Sequence, residues 1–271
     1  VLTDALESVI NVVSGFIGLY SLYLSSLPRD ENHPYGHGKV EFISASIEGT
    51  LISVAGVVII YEAILNLQHP KVISSLDYGI YLIAITAIIN YFVGMIAVKK
   101  GKKNNSLALI ASGKHLQSDT YSTVGIIIGL IVMYFTDLPW LDSAVALFFA
   151  GFIIFTGYKI LREAVSGIMD ETDEVLLKEL VVFLNKVRRP NWIDLHNLRI
   201  IKYGSTLHID CHMTVPWYFN IQEGHAEVDA LEDLVKDHFG DRIEVFVHLD
   251  SCKEYSCQIC TKIDCPLRKH H

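Results

Sequence analysis

Five long apolar stretches constrain what this chain can fold into more than any other feature of its sequence. A bilayer core of about 30 Å is crossed by roughly 20 helical residues, and each stretch reaches that length. The chain is 51% hydrophobic and only 19% charged, a balance more apolar than that of typical soluble proteins. The sequence therefore predicts spanning helices over Val1–Leu27, Phe42–Leu67, Leu76–Val98, Leu107–Phe135 and Leu141–Leu161.

The lysine-rich loop "VKKGKKNN" at 98–105 predicts the orientation of these helices. Short loops rich in Lys and Arg stay in the cytoplasm, so alternation makes loop 28–41 cytoplasmic and places loops 69–75 and 137–140 outside. Everything after Leu161 is then cytoplasmic. Five crossings leave residue 1 outside, which predicts a further spanning helix upstream of the sequence.

Ionisable and amide side chains at helical spacing interrupt two of the apolar stretches. His115 and Asp119 are four residues apart, as are Glu7 and Asn11, so each pair shares one helix face. Two antiparallel helices could join these groups into a four-ligand site for a divalent cation. For Asn11 taken alone, a polar residue that joins helices by hydrogen bonds is the favoured interpretation. Asp4 could be a ligand, a vestibule group or a boundary residue.

A second candidate metal site lies in the loop "LPRDENHPYGHGKVE". Asp30, His33 and His37 place three potential ligands within eight residues. The intervening Pro and Gly allow the backbone to fold back on itself. This density of imidazole and carboxylate groups favours metal binding.

The polar remainder of the chain predicts a small α+β domain. Periodicity alternates between helix and strand in the order α-β-β-α-β, which indicates an open sheet with two helices on one face. The predicted fold class is thus an α-helical integral membrane protein, a helix bundle, with a cytoplasmic α+β domain. The boundaries are a transmembrane domain at 1–168, a cytoplasmic domain at 169–250 and a cysteine-rich tail at 251–271.

Four cysteines mark the tail. Cys252, Cys257, Cys260 and Cys265 are spaced five, three and five positions apart. In a cytosolic segment these thiols stay reduced, so metal ligation is favoured over disulfides. The C-x-x-C core suits zinc or a soft metal, and a flexible tail with spare cysteines is the competing interpretation.

Taken together, these motifs resemble the cation diffusion facilitator family over essentially the whole chain. The stretches that carry the resemblance are "DENHPYGHGKVE", "HLQSD", "LDSAVALFFAGFIIFTGYKILREAVSGIMD" and "VFVHLDSC". The resemblance implies six spanning helices, of which five are visible here, and a cytoplasmic domain of ferredoxin-like topology. It also implies a homodimer in the lipid bilayer that exports divalent metal from the cytosol in exchange for protons.

Family membership implies which residues form the transport site and where this chain departs from the pattern. The family builds this site from an H/D-x-x-x-D pair on helix two and an H-x-x-x-D pair on helix five. The second pair is present as His115 and Asp119, whereas the first reads Glu7 and Asn11. One imidazole with mostly oxygen donors suits Zn²⁺, the first candidate, and also Mn²⁺, Fe²⁺ or Co²⁺.

The resemblance further implies a regulatory or dimer-stabilising metal site in the cytoplasmic domain. The matching positions are His196, His212, His225, His248 and Asp250. His248 and Asp250 are two apart on a predicted strand and therefore face the same side.

Other functional classes are disfavoured by the sequence. It contains no nucleophile with its base and no phosphate-binding loop, so an enzyme is not expected. The acidic soluble part argues against nucleic acid as a partner. The competing function is a membrane metal sensor or scaffold with impaired transport, and the expected location is a bacterial inner or plasma membrane.

Overall fold

The computed structural model describes residues 2–68, 79–136, 140–240 and 242–268. Within its helices the side chains at 2–11, 79–83, 126, 130–136 and 142 lie outside that description. The described chain divides into two compact units, Val1–Met169 and Asp170–His271.

The described residues of the first unit form helices and their connecting loops, without a strand. Its five long helices are α1 (Leu2–Ser25), α2 (Val40–Gln68), α3 (Gly79–Lys103), α4 (Leu107–Thr136) and α5 (Trp140–Ile168). Among the described residues, three segments have the length and apolar composition of a membrane span, and Val12–Ser25 is a shorter apolar helix. The predicted helices are all present. Helix α5 continues seven residues past the predicted end at Leu161, because Arg162 and Glu163 can be accommodated in a helix as it leaves the apolar layer.

Small residues allow the helices of this unit to approach closely. Helix α2 packs along α5, and α3 along α4. A Cβ atom added to Gly49 on α2 would lie 3.0 Å from the Gly157 carbonyl oxygen on α5. A Cβ atom on Gly94 of α3 would lie 2.6 Å from the Gly113 carbonyl oxygen on α4. Backbone-to-backbone contact of this kind is the usual packing mode of membrane helices, where hydrophobic burial contributes little between them.

The second unit has the predicted order α-β-β-α-β. Its elements are α6 (Glu174–Val187), β1 (Asp194–Tyr203), β2 (Thr206–Val215), α7 (Ile221–Phe239) and β3 (Ile243–Ser251), followed by a short 3-10 helix at Glu254–Gln258. The sheet order is β1-β2-β3, with β1 and β2 antiparallel and β2 and β3 parallel. The parallel pairing requires a crossover, and α7 provides it.

Local signals in the sequence define where both helices of this unit begin. Asp173 caps α6 by accepting hydrogen bonds from the backbone N–H groups of Val175 and Leu176, each at 3.0 Å. Asn220 and Glu223 form a reciprocal capping box at the start of α7. Such caps satisfy N–H groups that the helix itself leaves unpaired.

Alternation along β2 separates the two faces of the sheet. One face carries Leu207, Ile209, Cys211, Met213 and Val215, all buried in a core that also includes Leu180, Trp192, Leu231 and Val235. The opposite face, called the polar face here, carries His208, Asp210, His212 and Thr214 of β2. The core therefore occupies one side of the sheet and leaves polar groups to the other.

Candidate metal centres

The pair predicted on α4 is present inside the helical unit. His115 Nε2 lies 3.9 Å from Asp119 Oδ1, and the two side chains are only 12% and 25% exposed. The spacing of four residues along α4 brings the imidazole and the carboxylate to one face, as predicted. Glu7 and Asn11 lie on α1, and their side chains are outside the described residues, so their joining this pair stays a prediction.

The sequence analysis missed a buried carboxylate on α2. It contacts α4 at Ser112, one helical turn before His115. Glu48 on α2 is 1% exposed and accepts a hydrogen bond of 2.5 Å from Ser112 Oγ on α4. A Cβ atom added to Gly18 of α1 would lie 2.8 Å from Ser112 Oγ and 3.2 Å from Glu48 Oε1. Three helices therefore converge on this carboxylate. The signal in the sequence was a glutamate inside the apolar stretch of α2, since intramembrane ionisable residues usually mark functional positions.

A second buried carboxylate lies on the same helix. Glu41 is 3% exposed and accepts a hydrogen bond from Ser106, which precedes α4. The two glutamates are two helical turns apart, so both point from α2 toward α4. A serine hydroxyl of this region thus donates to one oxygen of each carboxylate, which offsets part of the cost of burying a polar group. Among the described residues the second oxygen of Glu48, Oε2, is buried without a hydrogen-bond partner.

The loop between α1 and α2 gathers the three ligands predicted there. Asp30 lies between the two imidazoles, with its Oδ1 2.9 Å from His33 Nδ1 and its Oδ2 3.4 Å from His37 Nε2. One donor atom from each residue lies within 4.8 Å of the others. Desolvation raises the pKa of Asp30, but the hydrogen bonds from His33 and Asn32 and the charge of His33 lower it overall. An ionised carboxylate between two imidazoles is a fitting donor set for a divalent ion with open coordination positions.

Backbone geometry holds this loop in its ligand-gathering form. Asp30 Oδ1 accepts hydrogen bonds from the backbone N–H groups of Asn32 and His33, at 3.0 and 2.7 Å. Gly36 has a φ of 86°, a conformation that glycine adopts without the steric cost that a side chain would bring. The chain therefore turns back, and the two imidazole rings lie 4.2 Å apart.

A row of three histidines crosses the polar face of the sheet in the second unit. His196 of β1 pairs in register with His212 of β2, which pairs with His248 of β3. The ring centroids are 5.2 Å apart for the first pair and 4.6 Å for the second. Residues in register across neighbouring strands share a face, so all three imidazoles lie on one side.

His196 reaches this row because of a bulge in β1. Between His196 and Arg199 the register shifts by one residue, and Asn197 within that interval has a φ of 50°. Ile200 faces the core opposite Ile209, so strict alternation would turn every even-numbered residue of β1, His196 included, toward the core. The extra residue reverses this and places His196 on the polar face.

The Asp250 carboxylate lies within 4 Å of all three histidines and is hydrogen-bonded to His212. Its Oδ2 lies 3.0 Å from His212 Nδ1 and 3.7 Å from His196 Nε2, and its Oδ1 lies 3.4 Å from His248 Nδ1. Desolvation raises the pKa of Asp250, but the hydrogen bond from His212 and the charges of the three imidazoles lower it overall. His196, His212 and Asp250 each offer a donor atom within 4.8 Å of the others. We call His196, His212, His248 and Asp250 the polar-face cluster.

His225 is the one predicted ligand of this domain that lies apart from the cluster. It is on α7, its side chain is 71% exposed, and its Nε2 lies 3.7 Å from Asp229 Oδ1. It does line a cavity of about 750 Å³ together with Asp250. The described geometry thus brings four of the five predicted positions together.

The four tail cysteines line one cavity of about 230 Å³. All four are free thiols of intermediate exposure, whereas Cys211 is buried in the core. Burial raises the pKa of the Cys252 thiol, the hydrogen bond from the Trp217 backbone N–H lowers it, and the nearby thiols of Cys257, Cys265 and Cys260 raise it, so that the pKa is raised overall. The four sulfur atoms are therefore close enough to influence one another.

Comparison with known families identifies the class of protein. Residues 1–169 match the cation efflux transmembrane domain, and residues 172–252 match the cytoplasmic domain of cation efflux proteins. The chain therefore belongs to the cation efflux, or cation diffusion facilitator, family of membrane transporters, which export divalent metal. It is a bacterial membrane protein with a cytoplasmic C-terminal domain.

Individual relatives align along most of their length. An uncharacterized transporter of Synechocystis sp., sll1263, is 31% identical over 254 residues, which cover 93% of this chain and 81% of the relative. The manganese efflux system protein MneP of Bacillus subtilis is 26% identical, with 92% and 86% covered. The magnetosome protein MamB of Magnetospirillum gryphiswaldense is 24% identical, with 86% and 78% covered.

Proposed function

We propose that this protein is a proton-coupled exporter of Mn²⁺, with His115 and Asp119 forming half of the transport site. The observation that carries the proposal is the placement of this pair, 3.9 Å apart and mostly buried on α4. Ionisable groups in that position face the bundle interior and serve ion or proton pathways. Glu7 and Asn11 on the antiparallel α1 complete the proposed ligand set.

Proton coupling follows from the chemistry of these ligands. A metal ion binds neutral imidazole and ionised carboxylate, so its binding releases protons and protonation releases the metal. Imidazole is the side chain whose ordinary titration range lies nearest neutral pH. His115 is therefore the proposed coupling group, and Asp119 and Glu7 are the proposed carboxylates that change protonation with it.

Two observations favour manganese over zinc as the cargo. The proposed site has one imidazole and three oxygen donors. Carboxylate and carbonyl oxygens are the ligands that suit Mn²⁺, whereas zinc is bound mostly by nitrogen and sulfur ligands. In addition, two relatives, MneP and MneS of Bacillus subtilis, are named as manganese efflux proteins. Zinc, iron and cobalt are the competing cargoes.

Transport by the purified protein in liposomes tests this proposal. Uptake of Mn²⁺ and of Zn²⁺ is followed with and without an imposed pH gradient, for the wild type and for His115→Ala. Loss of a residue that only orients a metal ligand lowers metal affinity about 10- to 100-fold. Loss of the ligand His115 itself should lower Mn²⁺ uptake at least that much. Thr123→Ala is the matched control, because Thr123 lies on the same helix and its hydroxyl donates to the backbone carbonyl of Asp119, not to a proposed ligand side chain.

Each part of the proposal can fail separately in this experiment. Uptake that does not respond to the pH gradient would remove proton coupling. Equal flux in the wild type and His115→Ala would contradict the transport role proposed for α4 and would favour a sensor or scaffold. Faster uptake of Zn²⁺ than of Mn²⁺ would reverse the assignment of the cargo.

For the cytoplasmic domain we propose a homodimer whose stability depends on metal at the polar-face cluster. The matched cytoplasmic family model is a dimerisation domain by name, and the cluster residues remain 35% to 66% exposed at their side chains. A metal ion bound at a partly exposed cluster keeps open coordination positions, and a ligand from a second chain can fill them. Light scattering of the full chain in detergent, with metal and after chelation, tests this: an unchanged mass would overturn it.

A further inference from the structure

The tail after β3 forms a feature that the family domains do not include. The cytoplasmic family match ends at residue 252, whereas the cavity lined by all four tail cysteines extends to residue 268. Pro216 and Trp217, just after β2, and Ile193, just before β1, form the remaining wall. The tail therefore folds back on the end of the sheet instead of extending away from it.

The first cysteine is held rigidly by the sheet. The backbone N–H of Cys252 donates to the Val215 carbonyl at 2.8 Å, which continues the pairing of β2 with β3 by one residue. The backbone N–H of Trp217 lies 3.4 Å from Cys252 Sγ and donates to it. Backbone N–H groups directed at sulfur stabilise thiolate, because a hydrogen bond to the charged form favours that form.

The other three cysteines are brought back to the same cavity by contacts within the tail. The 3-10 helix Glu254–Gln258 carries Cys257. Arg268 donates to the carbonyls of Cys260 and Lys262, at 2.8 and 3.2 Å, and so closes the loop that contains Cys265. Lys262 in turn donates to Asn191 Oδ1 at 2.9 Å, which ties the tail to the body of the domain.

Cationic side chains outnumber anionic ones around the four thiols. Lys253, Lys262 and Arg268 line the cavity together with Glu254, and Lys262 also pairs with Asp264 at 3.1 Å. Four thiolates around a divalent ion carry a net charge of about −2, and nearby cations favour the ionised form of a thiol. The lining is thus suited to an anionic thiolate centre.

We propose that Cys252, Cys257, Cys260 and Cys265 bind one Zn²⁺ as a tetrahedral tetrathiolate site that fastens the tail to the end of the sheet. Zinc takes four thiolates at about 2.3 Å. In the tail, whose cysteines are all described, no three sulfur atoms lie mutually within 4.8 Å, whereas ligands of one zinc ion lie about 3.8 Å apart. Binding therefore draws the tail inward, and the thiol protons are released to solvent as the ion binds.

The tail site is expected to discriminate against the proposed cargo. Thiolates are soft ligands that select zinc, whereas Mn²⁺ prefers oxygen ligands. The tail proposal does not depend on the transport proposal, because none of its ligands lies in the helical unit. Either proposal can fail while the other stands.

Cobalt substitution in the full-length protein tests the site. The protein is purified in detergent under reducing conditions, treated with a chelator and titrated with Co²⁺. Thiolate bound to Co²⁺ gives an intense near-ultraviolet charge-transfer absorption that imidazole and carboxylate ligands do not produce. We expect this spectrum to saturate at about one equivalent for the tail and to be displaced by Zn²⁺ but not by Mn²⁺.

Three variants and two outcomes make the test decisive. Cys257→Ser combined with Cys260→Ser should abolish the thiolate spectrum, whereas Cys211→Ala should keep it, because Cys211 lies in the core and not in the cavity. Asp250→Ala should also keep it, which separates the tail from the polar-face cluster. Absence of the spectrum in the wild type, or its persistence in the double serine variant, would overturn the proposal.

Discussion

His212 and His248 lie side by side across the parallel pairing of β2 and β3, with ring centroids 4.6 Å apart. Both direct Nδ1 at the same Asp250 carboxylate, at 3.0 and 3.4 Å. A single carboxylate that orients two or more imidazoles is the arrangement expected where a metal ion is to be received.

This relationship predicts that Asp250 controls metal binding by the polar-face cluster. Asp250→Ala should lower the affinity of the cytoplasmic domain for Zn²⁺ about 10- to 100-fold, since the metal loses a ligand and the imidazoles lose the group that orients them. Isothermal titration of the full chain measures this. Asp210→Ala is the control, because Asp210 lies on the same face but outside the cluster and is exposed. Equal affinity in all three proteins would remove Asp250 from the site.

A second prediction concerns the close approach of α3 and α4. A Cβ atom on Gly113 would lie 2.7 Å from the Gly94 carbonyl oxygen and 2.8 Å from the Val98 backbone nitrogen. Neither atom can move without shifting a helix, so Gly113→Ala should destabilise the protein by about 1 to 3 kcal/mol. A Cβ atom on Gly151 of α5 meets nothing within 4 Å, and Gly151→Ala should be neutral or stabilising. Thermal unfolding in detergent compares the two; equal midpoints would contradict the packing argument.

A third prediction concerns the carboxylate of Glu48. Glu48→Leu removes the acceptor of the Ser112 hydroxyl and should cost about 0.6 to 2 kcal/mol, the range found for hydrogen bonds between membrane helices. Glu48→Gln keeps a carbonyl oxygen in that position and should cost less. Thermal unfolding of both variants gives the comparison. If the two variants unfold alike, the hydrogen bond contributes nothing to stability.

A fourth prediction is the pH dependence of the start of α6. Lys202 Nζ lies 2.6 Å from Asp173 Oδ2. Burial raises the pKa of Asp173, yet the hydrogen bond and charge of Lys202 and the capped N–H groups lower it below its ordinary value of 3.8. Because the folded pKa is the lower one, this stabilisation is complete above about pH 4 and is lost as the pH falls through the folded value.

Hydrogen exchange of the α6 amides measures this loss. Asp173→Asn should keep the cap but weaken the pH dependence, whereas Asp173→Ala should cost about 1 kcal/mol at neutral pH as well. The exposed pair Lys178 and Glu174 is the control, and Glu174→Gln should change little. A wild-type helix whose protection is constant from about pH 6 to about pH 3 would contradict the assignment.

Local patterns in the sequence were sufficient for the elements of this protein. The length of the apolar stretches set where α2 to α5 run, because a bilayer sets the length of the helix that crosses it. Period-2 and period-3.6 alternation set the α-β-β-α-β order of the second unit. The spacing of four residues between His115 and Asp119, and the short span from Asp30 to His37, were enough to bring those ligands together, because they are close along the chain.

Only the tertiary structure decided which distant groups meet. His196 joins His212 through a bulge whose presence no alternation pattern predicts, and Glu48 finds Ser112 because two helices pack closely. The four tail cysteines gather at one cavity, while His225 on α7 stays apart from the polar-face cluster. The reason is physical: spacing along one element is set by its own geometry, whereas contact between elements depends on register and packing, which the whole chain determines.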